Sequence, residues 1–253
     1  MINLDNKRVL VTGSSQGLGR KIVEKFSENN SFGFGFDLQE SNKDLNLKGW
    51  EFLQVNVSNE LEIINGFKQI KKQIGKLEVV VANAGIVPPW RTINEIDNDE
   101  WEKVFNVNVK GVALTIKHSV ELMKSSGGSI IVMGSINSLL GHSGQSLYTA
   151  SKHALLGIVK CAAIDLGKYN IRVNAIGPGP IATEALLKRL KSREDNKGMN
   201  VRSALDGFAN NTALGRMPTE DDVANTALYL SSNLSSSITG QIIPVCSGLI
   251  RLE

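Results

Sequence analysis

The stretch that constrains this chain most is residues 8–19. Arg8-Val9-Leu10-Val11-Thr12 is a short, largely β-branched run, followed at once by Gly13-Ser14-Ser15-Gln16-Gly17-Leu18-Gly19. Ile22, Val23 and Phe26 then recur at helical spacing. Strand, glycine-rich turn and amphipathic helix, in that order, bring backbone N–H groups and a helix N-terminus to one point, where a phosphate can be held. Glycines are required because a side chain would hold a pyrophosphate off the backbone. A glycine trio alone says little; its place between a strand and a helix gives it meaning. The expected contacts from this turn are Gly13, Ser15, Gln16, Gly17, Leu18 and Gly19.

The same alternation continues down the chain. Strands are expected at residues 32–36, 50–55, 77–82, 130–133 and 171–176, and helices at 60–74, 99–123 and 146–167. The run at 77–82 is almost continuously apolar, as a parallel strand covered on both faces should be. Strands alternating with helices predict an α/β fold: a Rossmann-type doubly wound parallel sheet of about seven strands with helices on both faces. The 253 residues are read as one domain, 1–253. Ligands in such sheets bind beyond the C-terminal ends of the strands. Thr12-Gly13, Asp37, Asn56, Asn83-Ala84-Gly85, Ser135 and Gly177-Pro178 all fall at such ends.

Two sets of residues carry chemistry. Asp37 stands about twenty positions after the glycine turn, where a carboxylate accepts hydrogen bonds from adenosine ribose hydroxyls and repels a 2′-phosphate. That favours NAD over NADP. Tyr148 and Lys152 are four apart, so they share one helix face. An ammonium beside a phenol favours the phenolate and should lower its ordinary value near ~10. Such a tyrosine can exchange a proton with an alcohol or ketone near neutral pH. Ser135, at the end of a strand, can bond the same substrate oxygen. Tyr-x-x-x-Lys occurs by chance in many helices, and only the company of the glycine turn makes it informative.

Composition closes off other classes. Hydrophobic content is 42% and charged content 21%, with a net charge of +3 and scattered basic residues. That argues against a nucleic-acid surface. No apolar run reaches the ~20 residues needed to span a bilayer. Cys161 and Cys246, each in an apolar context, read as buried free thiols of a reducing compartment. With a polar start and no leader pattern, the chain is expected to be a cytoplasmic enzyme for a small molecule, without membrane, nucleic acid or metal.

Together these motifs resemble the single-domain branch of the short-chain dehydrogenase/reductase family over residues 5–245. Thr12-Gly13-x-x-x-Gly17-x-Gly19 matches its cofactor turn, and Asn83-Ala84-Gly85 its Asn-Ala-Gly element. Ser135, Tyr148 and Lys152 match its catalytic set at the family spacing, with Asn108 as fourth member. Pro178-Gly179 with Thr183 matches the segment that meets the nicotinamide carboxamide. Leu214-Gly215-Arg216 and Ile238-Thr239-Gly240-Gln241 resemble later landmarks. The resemblance implies an NAD-dependent oxidoreductase acting on a secondary alcohol. Tyr148 would be its general acid/base, and Lys152 would tune the tyrosine and hold the nicotinamide ribose. Ser135 would polarise the substrate oxygen, and Asn108 would position a water relay to Lys152. Leu38, Val57 and Ile181 would border the cofactor beside Asp37, Asn56 and Gly179. Asn56 replaces a common aspartate at the adenine, and Val245-Cys246-Ser247-Gly248 replaces the usual Val-Asp-Gly-Gly.

Residues 184–211 are polar and irregular in pattern, and they are expected to form a mobile lid over the substrate. Asn137, His142 and Gln145 flank Ser135 and Tyr148. The substrate set is therefore Ser135, Asn137, Gln145 and Tyr148, with a polar wall suited to a polyol or sugar derivative. Residues 154–166 are apolar nearly all round, and with the resemblance they imply a homotetramer. Three readings compete: an NADP-dependent ketone or 3-oxoacyl reductase of the same family, a sugar-nucleotide epimerase, and a cofactor-binding regulator without turnover. The glycine spacing argues against the epimerase, and the intact Ser135, Tyr148 and Lys152 argue against the regulator.

Overall fold

The fold, taken from a computed structural model, is described for residues 2, 4–39, 47–196 and 198–249. Among these, seven strands form one parallel sheet: β1 (Arg8–Thr12), β2 (Phe32–Asp37), β3 (Trp50–Gln54), β4 (Val79–Ala82), β5 (Gly128–Met133), β6 (Ile171–Pro178) and β7 (Ile242–Val245). Their order is β3-β2-β1-β4-β5-β6-β7. β1 pairs with β2 on one side and β4 on the other. The winding reverses there, which opens a crevice at the strands' C-terminal ends.

Among the described residues there are eight α-helices, most of them packed on the sheet: α1 (Gly17–Glu28), α2 (Glu60–Ile74), α3 (Asn98–Phe105), α4 (Gly111–Met123), α5 (Ser146–Leu166), α6 (Glu184–Asp195), α7 (Val201–Asn210) and α8 (Glu220–Ser231). Alternation along each strand decides which face a residue feeds. Leu10, Val80, Ile130 and Val173 pack with Ile70, Val112 and Leu155 from α2, α4 and α5. Val9, Val11, Val79, Val81 and Ile131 pack on the opposite face with Ile22, Val23 and Phe26 of α1 and Val223 and Ala227 of α8. Each such side chain, taken fully out of water, contributes about 1.5–3 kcal/mol. This two-sided burial is why the strands read as continuous apolar runs.

The fold departs from the sequence reading in four places. The helix expected over 99–123 is α3 and α4 joined by a π-helical turn at Asn106–Lys110, with Asn108 fully buried inside it. Residues 184–211 are not irregular but form α6 and α7. Their core stripe is narrow, with only Leu186, Leu190 and Ala204 buried, so the polar surround hid the period. These three pack with Trp90, Phe208 and Met217 in a separate apolar cluster. β7, not located from the sequence, is half-exposed and carries Pro244, as an edge strand tolerates. Cys246 is buried as expected, but Cys161 is exposed, because its side of α5 faces away from the sheet. No helix among the described residues is long and apolar enough to cross a membrane.

Candidate active site

At the switch point, the turn after β1 leaves no room for side chains. A Cβ on Gly19 would lie 1.9 Å from the Gly13 carbonyl oxygen, and one on Gly13, at φ +66°, 2.8 Å from the Ala84 Cα. Gln16 gives α1 no side-chain cap, and no acidic residue lies in the first turn. The helix therefore presents unmatched N–H groups to the crevice, an environment that suits an anion. Asn83 holds the turn from β4, donating through Nδ2 to the carbonyls of Thr12 and Gly13 at 3.0 Å each. The Asn83 and Ala84 N–H groups donate to Thr12 Oγ1 at 3.1 and 3.0 Å. Asn83 thus shapes the cradle with its side chain.

Asp37 ends β2 with both carboxylate oxygens oriented by the main chain. The Ser15 N–H donates to Oδ2 at 3.0 Å and the Gln39 N–H to Oδ1 at 3.1 Å. Each oxygen retains a lone pair for a ligand. Asn56 Oδ1 accepts from the Ser58 N–H at 3.0 Å and from its hydroxyl at 2.7 Å. Its amide nitrogen, a donor where an aspartate would only accept, is the group left for a base.

Ser135 follows β5 and caps a 3-10 turn, Ile136–Ser138. Its Oγ accepts from the Asn137 N–H at 3.1 Å. Tyr148 and Lys152 lie in the first two turns of α5, with the Lys152 Nζ 5.7 Å from the Tyr148 ring centre. That Nζ donates to the Met133 carbonyl at 2.7 Å. Burial pulls Lys152 down to about 8. Burial also pushes the Tyr148 phenol up, opposed by the neighbouring Ser135 hydroxyl and by the charge of Arg189. Lys152 was expected to be the cation lowering the tyrosine. In the structure burial raises the phenol instead, and the charge that opposes the rise is that of Arg189. Asn108 accepts from the Ile86 N–H at 2.8 Å and donates to the Ile86 carbonyl at 2.9 Å and to Ser151 Oγ at 3.2 Å. It fixes the backbone next to Gly85, where an added Cβ would stand 3.7 Å from the Lys152 Nζ.

One cleft of about 750 Å³ joins these groups. Its walls include Gly13, Gln16, Gly17, Leu18, Gly19, Asp37, Leu38, Asn56, Val57, Asn83, Ala84 and Gly85, the contacts expected at one end. They also include Ser135, Asn137, Gln145, Tyr148, Lys152, Pro178, Gly179, Ile181 and Thr183. Ser15 and Asn108 do not line it. Ser15 turns its N–H to Asp37, and Asn108 lies behind Gly85. The sequence reading missed Arg189, Trp90 and Phe208, which also line the cleft. No spacing rule reaches them, since α6 must first pack over the loop that carries Trp90.

The family described as Enoyl-(Acyl carrier protein) reductase matches residues 13–250. Short-chain dehydrogenase reductase 5 of Arabidopsis thaliana is 34% identical over 97% of this chain and 95% of its own. A Thermoplasma acidophilum aldohexose dehydrogenase, solved in ligand-free form, superposes with a TM-score of 0.90 at 28% identity, covering 98% of this chain and 96% of that one. A carveol dehydrogenase from Mycobacterium avium, solved in complex with NAD, shares the fold at a TM-score of 0.90 and 22% identity, over 98% and 99% of the two chains. The fold and the cleft define a nicotinamide-dependent oxidoreductase. The chain belongs to the short-chain dehydrogenase/reductase family.

Proposed function

We propose that the protein is an NAD-dependent dehydrogenase of a secondary alcohol, with a hydroxylated substrate such as a polyol or sugar derivative. One observation carries the reading. Tyr148, Ser135 and Lys152 converge in the same cleft whose far end holds the glycine turn and Asp37. The residues fit a dinucleotide. Backbone N–H groups at the start of α1 would hold its pyrophosphate, Asp37 the adenosine ribose, Lys152 the second ribose, and Pro178–Thr183 the carboxamide. When bound, the nicotinamide supplies or takes up the hydride.

The chain's own residues handle position and the proton. Ser135 Oγ and Tyr148 Oη together bind the substrate oxygen. Tyr148 removes the hydroxyl proton in oxidation or returns it in reduction. Its burial excludes water, so each charge near it acts strongly. Lys152, near 8, is protonated at neutral pH and keeps a cation one helical turn from the phenol. Asn108 holds the Gly85–Ile86 backbone so that Lys152 keeps its place. α6 and α7 border the substrate end, and we place the lid there.

Support for a hydroxylated substrate comes from the wall beside Ser135 and from the similarity to an aldohexose dehydrogenase. Asn137 Nδ2 donates to Gln145 Oε1 at 3.0 Å and to Thr149 Oγ1 at 2.9 Å, so these groups largely satisfy each other. His142 also lines the cleft. NADH formation from a panel of secondary alcohols and aldoses, run in parallel with NADP, tests the proposal. Turnover only with NADP would favour the ketone or 3-oxoacyl reductase, and no turnover with any alcohol would refute the dehydrogenase. We also propose a homotetramer built on the exposed face of α5.

A further inference from the structure

Arg189 has a place in the cleft that the proposed chemistry does not use. It lies on α6, half-buried, with its guanidinium carbon 5.2 Å from the centre of the Trp90 ring. Arg193, one turn on, stands 5.5 Å from the same ring. Arg189 makes no ion pair or hydrogen bond among the described residues, and its buried Nε has no partner. The carboxylates on the neighbouring walls are already engaged: Glu100 with Arg91 at 3.2 Å and Glu184 with Lys188 at 2.6 Å. Arg189 and Tyr148 both line the main cleft and the smaller recess beside it, formed by Pro88, Pro89, Trp90 and Gln145. Its charge reaches the phenol and opposes the upward push of burial.

A half-buried guanidinium without an anion is costly, because it has lost water and gained no partner. Stacking on an indole offsets part of that cost and fixes the plane of the fork. A fork so held, with its donors unmatched, suits a carboxylate taken bidentately.

We propose that Arg189 is the carboxylate-binding residue of the substrate site, and that the substrate is a hydroxy acid or the matching oxo acid. Its alcohol carbon sits at Tyr148 and Ser135 while its carboxylate lies against Arg189 and Trp90. This narrows the dehydrogenase reading above and rests on its placement of the substrate oxygen. It is compatible with further hydroxyls at His142.

Binding and turnover separate the two ideas. Calorimetry on the full chain, with and without NADH, would titrate 2-, 3- and 4-hydroxybutanoate and their amides. NADH holds the cofactor site while preventing oxidation, so binding is read without chemistry. At least one acid should bind about ten- to a hundredfold more tightly than its amide, the usual range for a charge-assisted hydrogen bond. Arg189→Met should bring the acid-to-amide ratio close to one. Arg189→Lys should keep part of the preference, since it retains the charge and loses the fork. Removing an unpaired charge should leave the fold intact, and a thermal melt of each variant checks that. Equal binding of every acid and its amide by the parent protein overturns the proposal, as does a preference that survives Arg189→Met. Acid binding through Arg189 without NADH formation from any alcohol would sink the dehydrogenase reading and leave the carboxylate site standing.

Discussion

The Lys152 ammonium donates to the Met133 carbonyl at 2.7 Å, joining the catalytic helix to the end of the strand that leads into Ser135. Through this bond the two halves of the reaction centre, Ser135 after β5 and Tyr148 on α5, are held at one spacing. The lysine's folded-state value of about 8 lies below its ordinary 10.5. The folded protein therefore binds that proton less tightly than the unfolded chain does. At pH 7 both states are protonated and folding carries the full penalty, about 3 kcal/mol. Between pH 8 and 10.5 the folded state has lost the proton first, and the penalty fades as pH rises. Lys152→Met removes it at every pH. The stability of this variant relative to the parent should fall by about 2 kcal/mol between pH 7 and pH 10 in urea titrations. A constant difference would mean that Lys152 is not desolvated as the structure has it.

Tyr148→Phe keeps the ring and removes only the proton carrier. Turnover should fall at least about a hundredfold, while NADH affinity, read by fluorescence, changes little. Appreciable residual activity in a clean preparation would take Tyr148 out of the acid/base role.

The parts visible in the sequence are those where a local pattern and a tertiary role coincide. β1 and its turn were legible because Val9, Leu10 and Val11 feed two opposite cores while Gly13 and Gly19 admit no Cβ. Asp37, Ser135, Tyr148 and Lys152 follow from strand ends and one helix face. The π turn at Asn106–Lys110 was hidden, because one extra residue in a turn leaves the apolar spacing nearly unchanged. Arg189 was hidden for another reason. Its meaning depends on Trp90, about a hundred positions away, and on which carboxylates are already paired.

Asp37 should decide cofactor choice. Its oxygens are fixed by the Ser15 and Gln39 N–H groups, so it cannot swing away from a 2′-phosphate without breaking both bonds. Asp37→Ala should weaken NAD by about ten- to a hundredfold and narrow the gap to NADP. A parent protein that already prefers NADP in a side-by-side assay would contradict this.

Gly19→Ala should damage the cradle more than its size suggests. The added Cβ would fall 1.9 Å from the Gly13 carbonyl oxygen, which is main chain and cannot rotate aside. The turn must shift, and NADH affinity should fall more than about tenfold, at an overpacking cost of roughly 1–3 kcal/mol. Unchanged affinity by calorimetry would mean that the turn does not hold the cofactor.

The exposed side of α5 should be a subunit interface. Gly157, Cys161 and Ile164 are exposed at helical spacing, and Ile164 is 80% accessible to solvent in the single chain. An isolated surface isoleucine needs no explanation. Here it extends a helix whose other side is wholly occupied by Leu155, Val159, Ala163 and Leu166 in the core. Glycine and cysteine beside it let a second helix approach closely. A two-fold axis would bring the same stripe from another copy against it, and covering Ile164 would contribute about 1.5–3 kcal/mol per subunit. Ile158 is a poorer probe, because it packs partly against the core and its replacement would unsettle the fold. Ile164→Glu places a charge in the interface without touching the core. Light scattering at micromolar concentration should give about four times the 27.4 kDa chain mass for the parent and a smaller species for the variant. A monodisperse parent at the mass of one chain would end the proposal. Because α5 begins with Tyr148 and Lys152, dissociation should also lower activity, and the loss should track the fraction of small species as the protein is diluted.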